Sequence, residues 1–532
     1  MRRIKYLFAF SAVALLSLAA CNSNKNPYAK LPDETDEALI EKIAIRESAI
    51  NPNDEDTNYA VYGNVYLPSE MDGAKLSWWS SNSKLINPKA NGDVAPGEVT
   101  RPNKDTDVTL VAQIEKDGTK TKYQQVVTVK GAIPEIADED YQAYLFGHFC
   151  GEADQYGTTV DGQRVTNGEQ IFFALADVGQ GLKFKDMNGS KGTNYSSLKP
   201  VLKSDVGERG VRDPFICRSP EGDSFYLIAT DLSVYTRGGW GNNAGQATKT
   251  GSHSITIWES HDLVNWTDAR LIKVAREDAG MAWAPEMIYC EETGEYLIFF
   301  SSTILDDYSK GTNANILYRD SVYFTTTRDF VHFGETKQFI PNTPYQDGIT
   351  HRESEGSALN NDTRKVIDGS VMKIGDYYYS ASKDGGNDEE GGGIRISRTQ
   401  NLYDAEWEFV MNLADTGFTS PYSYTVNGQS SNVLSNNCLE GPEWFYLNQA
   451  DRTDSDVPEI GLMADFYKDT SKGYMPFSTA DIEDTNNANQ SWKQLQSGTD
   501  YSWDSQTKRH GTILRITAEE AARLKGAYPI SK

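Results

Sequence analysis

Four acidic residues occupy comparable places in four stretches of the chain that share one plan. Each stretch begins with an acidic residue at the start of a β-run, continues with an aromatic-rich β-run, and ends in a third run that finishes with a polar turn and an aromatic residue. The acidic residues are Asp213, Glu286, Asp368 and Glu440. Two carboxyl groups on either side of a glycosidic bond can act as general acid and general base. Carboxylates that converge in this way therefore indicate chemistry on glycosides.

The elements that must position these acids are repeated β-sheets. Radial repetition of similar sheets is typical of a β-propeller, in which the inner strands surround an axis. Further β-runs at 144–149 and 170–177 precede the first repeat, and one at 511–517 follows the last. Joining these early and late runs in one blade closes the ring and removes open sheet edges. We therefore predict an all-β fold with a five-bladed propeller over residues 141–532.

The chain outside the propeller divides into smaller segments. Between residues 37 and 130, four β-runs of period two predict a small immunoglobulin-like β-sandwich, and residues 131–140 form a linker. Trp78 and Trp79 in this module could form a sugar platform, but one core tryptophan and one at an interface is the favoured interpretation. After the propeller, residues 519–524 predict a helix with Thr517 and Glu520 as a capping box.

Residues 1–20 predict a lipoprotein signal peptide, with basic residues before an apolar run that is too short to span a membrane. The run ends in Leu-Ala-Ala-Cys, which resembles the bacterial lipobox and makes Cys21 the lipidated residue. An ordinary signal peptide with a chance cysteine is the alternative. Residues 21–36 are polar and predict a tether. We expect a lipid-anchored protein of the cell envelope, at the outer membrane, with its periplasmic or surface orientation left open.

The composition excludes several classes of partner. The 51 basic and 76 acidic residues give a formal net charge of −25, so a nucleic acid is not an expected ligand. No glycine-rich loop joins a strand to a helix, so no nucleotide cofactor is required. The remaining cysteines, Cys150, Cys217, Cys290 and Cys438, match no metal motif, and buried thiols are favoured over disulfides.

Five short motifs, in order, carry a family resemblance. They are Arg-Asp-Pro-Phe-Ile at Asp213, Trp-Ala-Pro-Glu at Trp283, Ile-Asp-Gly-Ser at Asp368, Glu-Gly-Pro at Glu440 and Arg-His-Gly-Thr at His510. Together they resemble glycoside hydrolase family 43, whose members are five-bladed propellers. The opening blade and the attached module are most similar to the arabinofuranosidase branch, and the module resembles bacterial immunoglobulin-like modules of secreted carbohydrate enzymes.

The resemblance implies a catalytic role for three of the acids. Asp213 is expected to be the general base, Glu440 the general acid, and Asp368 the residue that orients Glu440 and raises its pKa. Glu440 is then expected to stay protonated near neutral pH. An inverting mechanism needs the base and the acid roughly 6.5–9.5 Å apart, so that a water molecule fits between base and sugar.

Aromatic faces are expected to contact the substrate, because sugars present C–H patches that stack on rings. The candidate substrate-binding residues are Trp283, Glu286, Phe215, Trp240 and Trp444. Asp231 and Asp465 are further candidates at the rim. His510 faces the axial channel in this interpretation, where some relatives of the family hold calcium, although a structural histidine is nearly as good an explanation.

These inferences predict an exo-acting, inverting glycoside hydrolase, an α-L-arabinofuranosidase acting on arabinan, arabinoxylan or arabinogalactan. Its partner is a plant-derived glycan, and membrane contact comes through the lipid anchor only. A β-xylosidase or exo-β-galactanase of the same family remains open. The intact acids argue against a non-catalytic glycan-binding lipoprotein. A retaining enzyme acting on fructosides lacks support, because its Asn-Asp-Pro-Asn segment is absent.

Overall fold

A computed structural model describes most of the chain. The described residues are 25–46, 59–152, 157–160, 162–189, 199–241, 246–341, 365–384, 393–426, 429–433, 438–467, 473–504 and 508–530. The predicted signal peptide and Cys21 lie outside these ranges. No helix among the described residues is long and apolar enough to cross a membrane.

The N-terminal module begins with helix α1 and continues as a five-stranded sheet in the order β1-β7-β6-β3-β2, with β4 and β5 paired beside it. Its elements are α1 (Glu37–Ile43), β1 (Tyr59–Val61), β2 (Glu70–Met71), β3 (Ala74–Ser80), β4 (Ile86–Asn87), β5 (Glu98–Val99), β6 (Thr106–Lys116) and β7 (Thr119–Val129). The predicted tether ends against this sheet, where the amide of Glu34 donates to the carbonyl of Lys122. Trp78 and Trp79 are both half-buried, and Trp78 packs against the module core.

Five four-stranded sheets follow and form the propeller. The first blade contains β8, β11, β13 and the last strand of the chain, and the other blades each use four consecutive strands. The early strands are β8 (Tyr141–His148), β9 (Gly157–Val160), β10 (Gln163–Thr166), β11 (Phe172–Asp177), β12 (Leu182–Lys183) and β13 (Lys185–Asp186). Strands β9 and β10 form a separate hairpin at the edge of this blade.

The second to fourth blades have a regular up-and-down order. The second blade is β14 (Val211–Arg218), β15 (Phe225–Asp231), β16 (Ser254–Ser260) and β17 (Arg270–Lys273), with α2 (Ala247–Thr250) in between. The third is β18 (Trp283–Cys290), β19 (Glu295–Leu305), β20 (Ile316–Thr327) and β21 (Lys337–Ile340). The fourth is β22 (Val366–Ile374), β23 (Tyr377–Asp384), β24 (Gly393–Thr399) and β25 (Glu408–Asn412).

The fifth blade and the closing strand complete the ring. Hairpin β26 (Thr419–Val426) and β27 (Gln429–Val433) precedes β28 (Leu439–Tyr446), β29 (Ile460–Phe466), β30 (Tyr474–Thr479), α3 (Ala488–Ser491), β31 (Trp492–Gln494), β32 (Tyr501–Ser502), β33 (Thr512–Thr517) and α4 (Ala518–Ala527). Strand β33 pairs with β8, from Thr512 opposite Gly147 onwards. The prediction that early and late strands share one blade is confirmed. The capping box of Thr517 and Glu520 at the start of α4 is also confirmed.

Apolar side chains from neighbouring blades pack together and hold the ring rigid. One cluster, for example, joins the fourth and fifth blades through Ile396, Leu462 and Phe477. The long aromatic and β-branched runs of the sequence supply these layers because their alternate residues point between sheets. The four cysteines of the propeller form no disulfide in the structure; three are buried, and Cys217 is half-buried.

The module docks on the face of the propeller where the inner strands of the second and third blades end. Arg101 forms two hydrogen bonds of 2.9 and 2.8 Å with Asp223, in the turn between β14 and β15. Tyr62 stacks on His261 at 3.9 Å and Tyr66 on His332 at 4.2 Å, measured between ring centroids. The acidic candidates lie towards the beginnings of the inner strands, so the module is on the opposite face from them.

Candidate active site

The inner strands of four blades share one irregularity near their beginnings. In each strand the pairing with its neighbour skips two residues, a β-bulge, and one skipped residue has a positive φ. These residues are Asp213 (φ 49°), Ala284 (φ 45°), Asp368 (φ 54°) and Gly441 (φ 52°). The four acids are therefore not equivalent, contrary to the sequence interpretation. Asp213 and Asp368 share the bulge position, Glu440 precedes it by one residue and Glu286 follows it by two.

Asp213 is fixed by two neighbours. The hydroxyl of Thr230 donates to its Oδ2 at 2.9 Å and accepts the amide of Ala284 at 2.7 Å, which joins the second and third blades at this point. On the other side, Nδ1 of His510 lies 3.5 Å from Oδ1 of Asp213. Asp213 is partly exposed, so its carboxylate is held in place and still accessible.

Asp368 connects the fourth blade to the third and fifth. Its backbone amide donates to Oγ of Ser301 at 2.9 Å, and its Oδ2 accepts the amide of Gly441 at 3.1 Å. Burial raises the pKa of Asp368 to about 6, while the positive charge of His510 opposes the shift and the negative charge of Glu440 adds to it. Asp368 is therefore a carboxyl group that keeps its proton in mildly acidic solution.

Glu440 lies between two cations. Nζ of Lys383 is 2.7 Å from its Oε2, and Nη2 of Arg509 is 3.3 Å from its Oε1. Burial raises the pKa of Glu440, but Lys383 and Arg509 together outweigh burial and leave this pKa below its usual value. The expectation that Glu440 is the protonated member near neutral pH is therefore wrong for this arrangement. The raised pKa belongs to Asp368, because no cation contacts its carboxylate as closely.

Most of the groups that support the acids come from the second strand of each blade, at the positions that face the bulges of the inner strand. The residue before each bulge pairs with Thr230, Ser301, Lys383 or Asp465. Three of these contact an acid or a bulge directly, and Asp465 binds Nε of Arg509 at 2.6 Å. Sequence reasoning missed Thr230, Ser301 and Lys383 as functional residues and treated Asp465 as a rim residue. Aligning the ends of the second strands of the repeats would have revealed the shared position.

An aromatic corner stands beside the acids. The rings of Trp240 and Trp283 meet edge to face at 6.0 Å, and the guanidinium of Arg212 lies 5.5 Å from the Trp240 ring. Trp240 is 45% exposed, and Trp283 is partly exposed and immediately precedes a bulge. These two predicted substrate-binding residues thus lie together, with Trp240 beside Arg212, the residue before Asp213, and the exposed ring of Trp240 offers a face on which a sugar could stack.

The structure does not bring the other predicted contacts to this corner. Glu286 is buried beneath the bulges, where its pKa is raised by burial and by the negative charge of Glu443. Phe215 and Trp444 line a cavity further along the axis, and Trp444 is buried between blades. Glu286 and Phe215 each lie two places beyond the residue of positive φ in their bulge and point deeper into the ring, whereas Trp444 lies three places beyond Gly441 and points between blades. Asp231 is also buried, and its Oδ1 accepts the amide of Glu208.

His510 is a contact of Asp213, and its surroundings do not fit a calcium site. The ring packs over Gly441, where an added Cβ would lie 2.6 Å from His510 Cγ. Among the described residues, no group of three or more histidine, cysteine, aspartate or glutamate side chains could hold a metal ion. Calcium takes six to eight oxygen ligands, which the side chains around His510 do not supply.

Comparison with known proteins agrees with this geometry. A family 43-related model described as "Probable glycosyl hydrolase domain" matches residues 139–522, and a model described as "Atrophied bacterial Ig domain" matches residues 43–132. An α-L-arabinofuranosidase of Bifidobacterium longum subsp. longum is 30% identical over 415 residues, which are 71% of this chain and 33% of that protein. This chain thus spans about one third of the length of that relative.

Solved structures give weaker similarities. An α-L-arabinofuranosidase from Lactobacillus brevis is 15% identical with a TM-score of 0.32, over 56% of this chain and 74% of that one. An endo-arabinase from Bacteroides thetaiotaomicron is 15% identical with a TM-score of 0.33, over 57% and 94% of the two chains. The family assignment does not depend on them. It follows from the match over most of the propeller that this chain belongs to the glycoside hydrolase family 43-related proteins.

Proposed function

We propose that this protein is an exo-acting, inverting α-L-arabinofuranosidase that removes arabinofuranose from plant polysaccharides such as arabinan, arabinoxylan or arabinogalactan. The observation that supports it most is the convergence of Asp213, Asp368 and Glu440 from three blades at the bulges of their inner strands. The name of the relative from B. longum supplies the sugar. The alternative is a β-xylosidase or exo-β-galactanase, and the test described below distinguishes these activities.

In this proposal Asp213 is the general base. Thr230 and His510 hold its carboxylate, so that one oxygen can remove a proton from an attacking water molecule. Glu440 is the general acid, and it must carry a proton when the glycosidic oxygen leaves. Asp368 keeps a proton to about pH 6 and lies beside the amide of Gly441. We infer that the active form carries one proton on these two carboxyl groups and that Glu440 delivers it to the glycosidic oxygen.

The test uses two leaving groups. Aryl glycosides such as 4-nitrophenyl α-L-arabinofuranoside need little help from an acid, because nitrophenolate leaves readily, whereas arabinobiose needs a protonated acid. Glu440→Gln should lower kcat on arabinobiose by about 10²–10⁴-fold and kcat on the aryl substrate by much less. Asp213→Asn should lower both about equally, because water must be activated in either case.

The exposed Glu139→Gln is the matched control and should behave as wild type. Aryl β-D-xyloside and β-D-galactoside belong to the same panel. Cleavage of one of these in place of the arabinofuranoside would change the sugar and keep the mechanism. Full activity of the Asp213→Asn and Glu440→Gln variants on every substrate would contradict the proposal.

We also propose that Cys21 carries a lipid anchor that holds the enzyme at the outer membrane. The support is the Leu-Ala-Ala-Cys motif after a basic and apolar segment, followed by polar residues. Labelling with a fatty-acid analogue in a bacterial host tests it. The wild-type chain should incorporate the label and sediment with membranes, whereas Cys21→Ala should do neither. Equal labelling of both chains would contradict the anchor.

A further inference from the structure

The aromatic corner of the site belongs to a loop, residues 233–241, that has no regular secondary structure. Backbone hydrogen bonds fold the loop on itself: the amide of Arg237 donates to Ser233, that of Gly238 to Tyr235, and that of Gly239 to Val234. Gly238 and Gly239 have φ values of 85° and 94°, a conformation that glycine adopts without strain. These contacts make a tight reversal immediately before Trp240.

A single buried carboxylate receives the beginning of this loop. Oε1 of Glu169 accepts the amide of Val234 at 2.9 Å, and Oε2 accepts the hydroxyl of Ser233 at 2.8 Å and the amide of Tyr235 at 3.3 Å. Glu169 has no exposed surface. It comes from the turn before β11 in the first blade, so the contact crosses from one blade to the next.

The same carboxylate binds the residue next to Asp213. Nη1 of Arg212 lies 2.8 Å from Oε1 of Glu169 and 3.0 Å from Oε2 of Glu152. The guanidinium of Arg212 also sits 4.5 Å from the ring of Phe149 and 5.5 Å from that of Trp240. Glu169 therefore joins the loop that carries Trp240 to the strand that carries Asp213. A charge buried this completely is held only where its hydrogen bonds are satisfied.

A second acid fixes the remainder of the loop. Glu208 accepts two hydrogen bonds from Arg237, of 2.9 and 2.6 Å, and the amide of Ser233 at 3.0 Å. This pair is about one fifth exposed, unlike Glu169. Loss of Glu208 should therefore loosen the loop less than loss of Glu169.

We propose that Glu169 is a positioning residue for substrate binding, which fixes Trp240 as a rigid wall of the sugar site. It acts through the loop and does not touch the reacting atoms. This inference rests on the proposed hydrolase function and deepens it, because a fixed aromatic wall beside Asp213 selects a terminal sugar unit stacked on that face. The ligand class is thus the non-reducing end of a neutral glycan.

The first test is Glu169→Gln in the full chain, assayed on whichever aryl glycoside the wild type cleaves. Glutamine keeps the shape but loses the charge and one acceptor oxygen, so the loop amides lose a partner. We expect KM to rise about tenfold, roughly the loss of one aromatic contact, with kcat changed less than twofold. Glu208→Gln should raise KM by a smaller factor.

A double-mutant cycle separates positioning from general damage to the fold. In Trp240→Ala, KM should already be raised, and adding Glu169→Gln should raise it no further. An undiminished effect of Glu169→Gln in the Trp240→Ala background would overturn the proposal. Should Glu169→Gln fail to fold, Ser233→Ala removes one donor to the same carboxylate and takes its place in the cycle.

Hydrogen–deuterium exchange tests, without any substrate, whether Glu169 holds the loop in place. The peptide that contains Val234 and Tyr235 should exchange slowly in the wild type and at least about tenfold faster in Glu169→Gln, while peptides of the fourth blade, such as β24, stay unchanged. Unchanged exchange of the loop in Glu169→Gln would show that Glu169 does not hold it in place. A protein that cleaves no glycoside but shows this exchange pattern would instead refute the hydrolase function.

Discussion

Replacing Lys383 with methionine should raise the pKa of Glu440 and shift the pH dependence of hydrolysis. The ammonium lies 2.7 Å from Oε2 of Glu440, and their side chains are 16% and 24% exposed, so water screens the pair only partly. An opposite charge at this distance lowers the pKa of a carboxyl by about one to three units. Because Arg509 remains 3.3 Å from Oε1 of Glu440, loss of Lys383 should raise the pKa of Glu440 by only part of the full effect of removing both cations.

The sign follows from the proposed role of Glu440 as general acid. It must be protonated for the glycosidic oxygen to leave, and a higher pKa keeps the proton to higher pH. The alkaline limb of kcat/KM on arabinobiose should therefore move to higher pH in Lys383→Met. The aryl glycoside should show a smaller change, because its leaving group needs less protonation.

Lys373→Met is the matched control. Lys373 is in the same blade, is 47% exposed and pairs with Glu291, away from the acids. Its variant should keep the wild-type profile. A folded Lys383→Met protein whose alkaline limb does not move, or an equal shift in Lys373→Met, would show that Lys383 does not lower the pKa of Glu440.

Three further predictions concern stability, docking and positioning. Burial raises the pKa of Glu443 from 4.5 to about 7, so wild-type stability should fall by about 3 kcal/mol as pH rises through that range. In Glu443→Gln, thermal unfolding at pH 5 and pH 8 should show a smaller fall, because only the buried Glu286 still loses its proton. Arg101→Ala should weaken docking of the module by about 3 kcal/mol, because it breaks the largely buried ion pair with Asp223. Limited proteolysis should then release the module while activity persists, whereas Lys42→Ala, which breaks an exposed pair, should leave the module attached. Thr230→Val should lower kcat about tenfold or more with little change in KM, measured by steady-state kinetics, because Asp213 loses its donor; an unchanged kcat would argue against that role.

The ring could be predicted because its evidence is local and repeated. Acidic starts, aromatic second runs and turn signals recur four times, and the strands at either end of the propeller need partners. Pairing of β33 with β8 satisfies that need. The same reasoning placed the capping box at Thr517 and Glu520, which is a local pattern of two side chains and two amides.

The register within the inner strands could not be predicted in the same way. Aligning the repeats on their acidic residues gives Glu286 the same position in its inner strand as Asp213. A β-bulge adds a residue that the partner strand does not match, and residues beyond it change their direction. The side chains of Glu286 and Glu443 therefore meet inside the ring, Phe215 occupies the same position in its strand, and Trp444, one residue further along, packs between blades. The sequence alone does not show which residue is skipped.

The supporting charges were missed for a different reason. Lys383 lies 57 positions from Glu440 along the chain and belongs to another blade. No local motif links a lysine at the end of one strand to a glutamate at the start of the next blade. Thr230, Ser301 and Lys383 occupy the same position in the second strands of their blades. This shared position would have indicated that they support the acids, but it becomes clear only when the strand pairing is known.

The most direct test of the central claim is proton NMR of the first sugar released from an aryl α-L-arabinofuranoside. Base catalysis by Asp213 with Glu440 as acid requires water to attack from the face opposite the leaving group. β-L-arabinofuranose should appear first and then mutarotate, and Asp213→Asn should yield no sugar on the same timescale. Initial appearance of the α-anomer, or undiminished release by Asp213→Asn, would contradict the central claim.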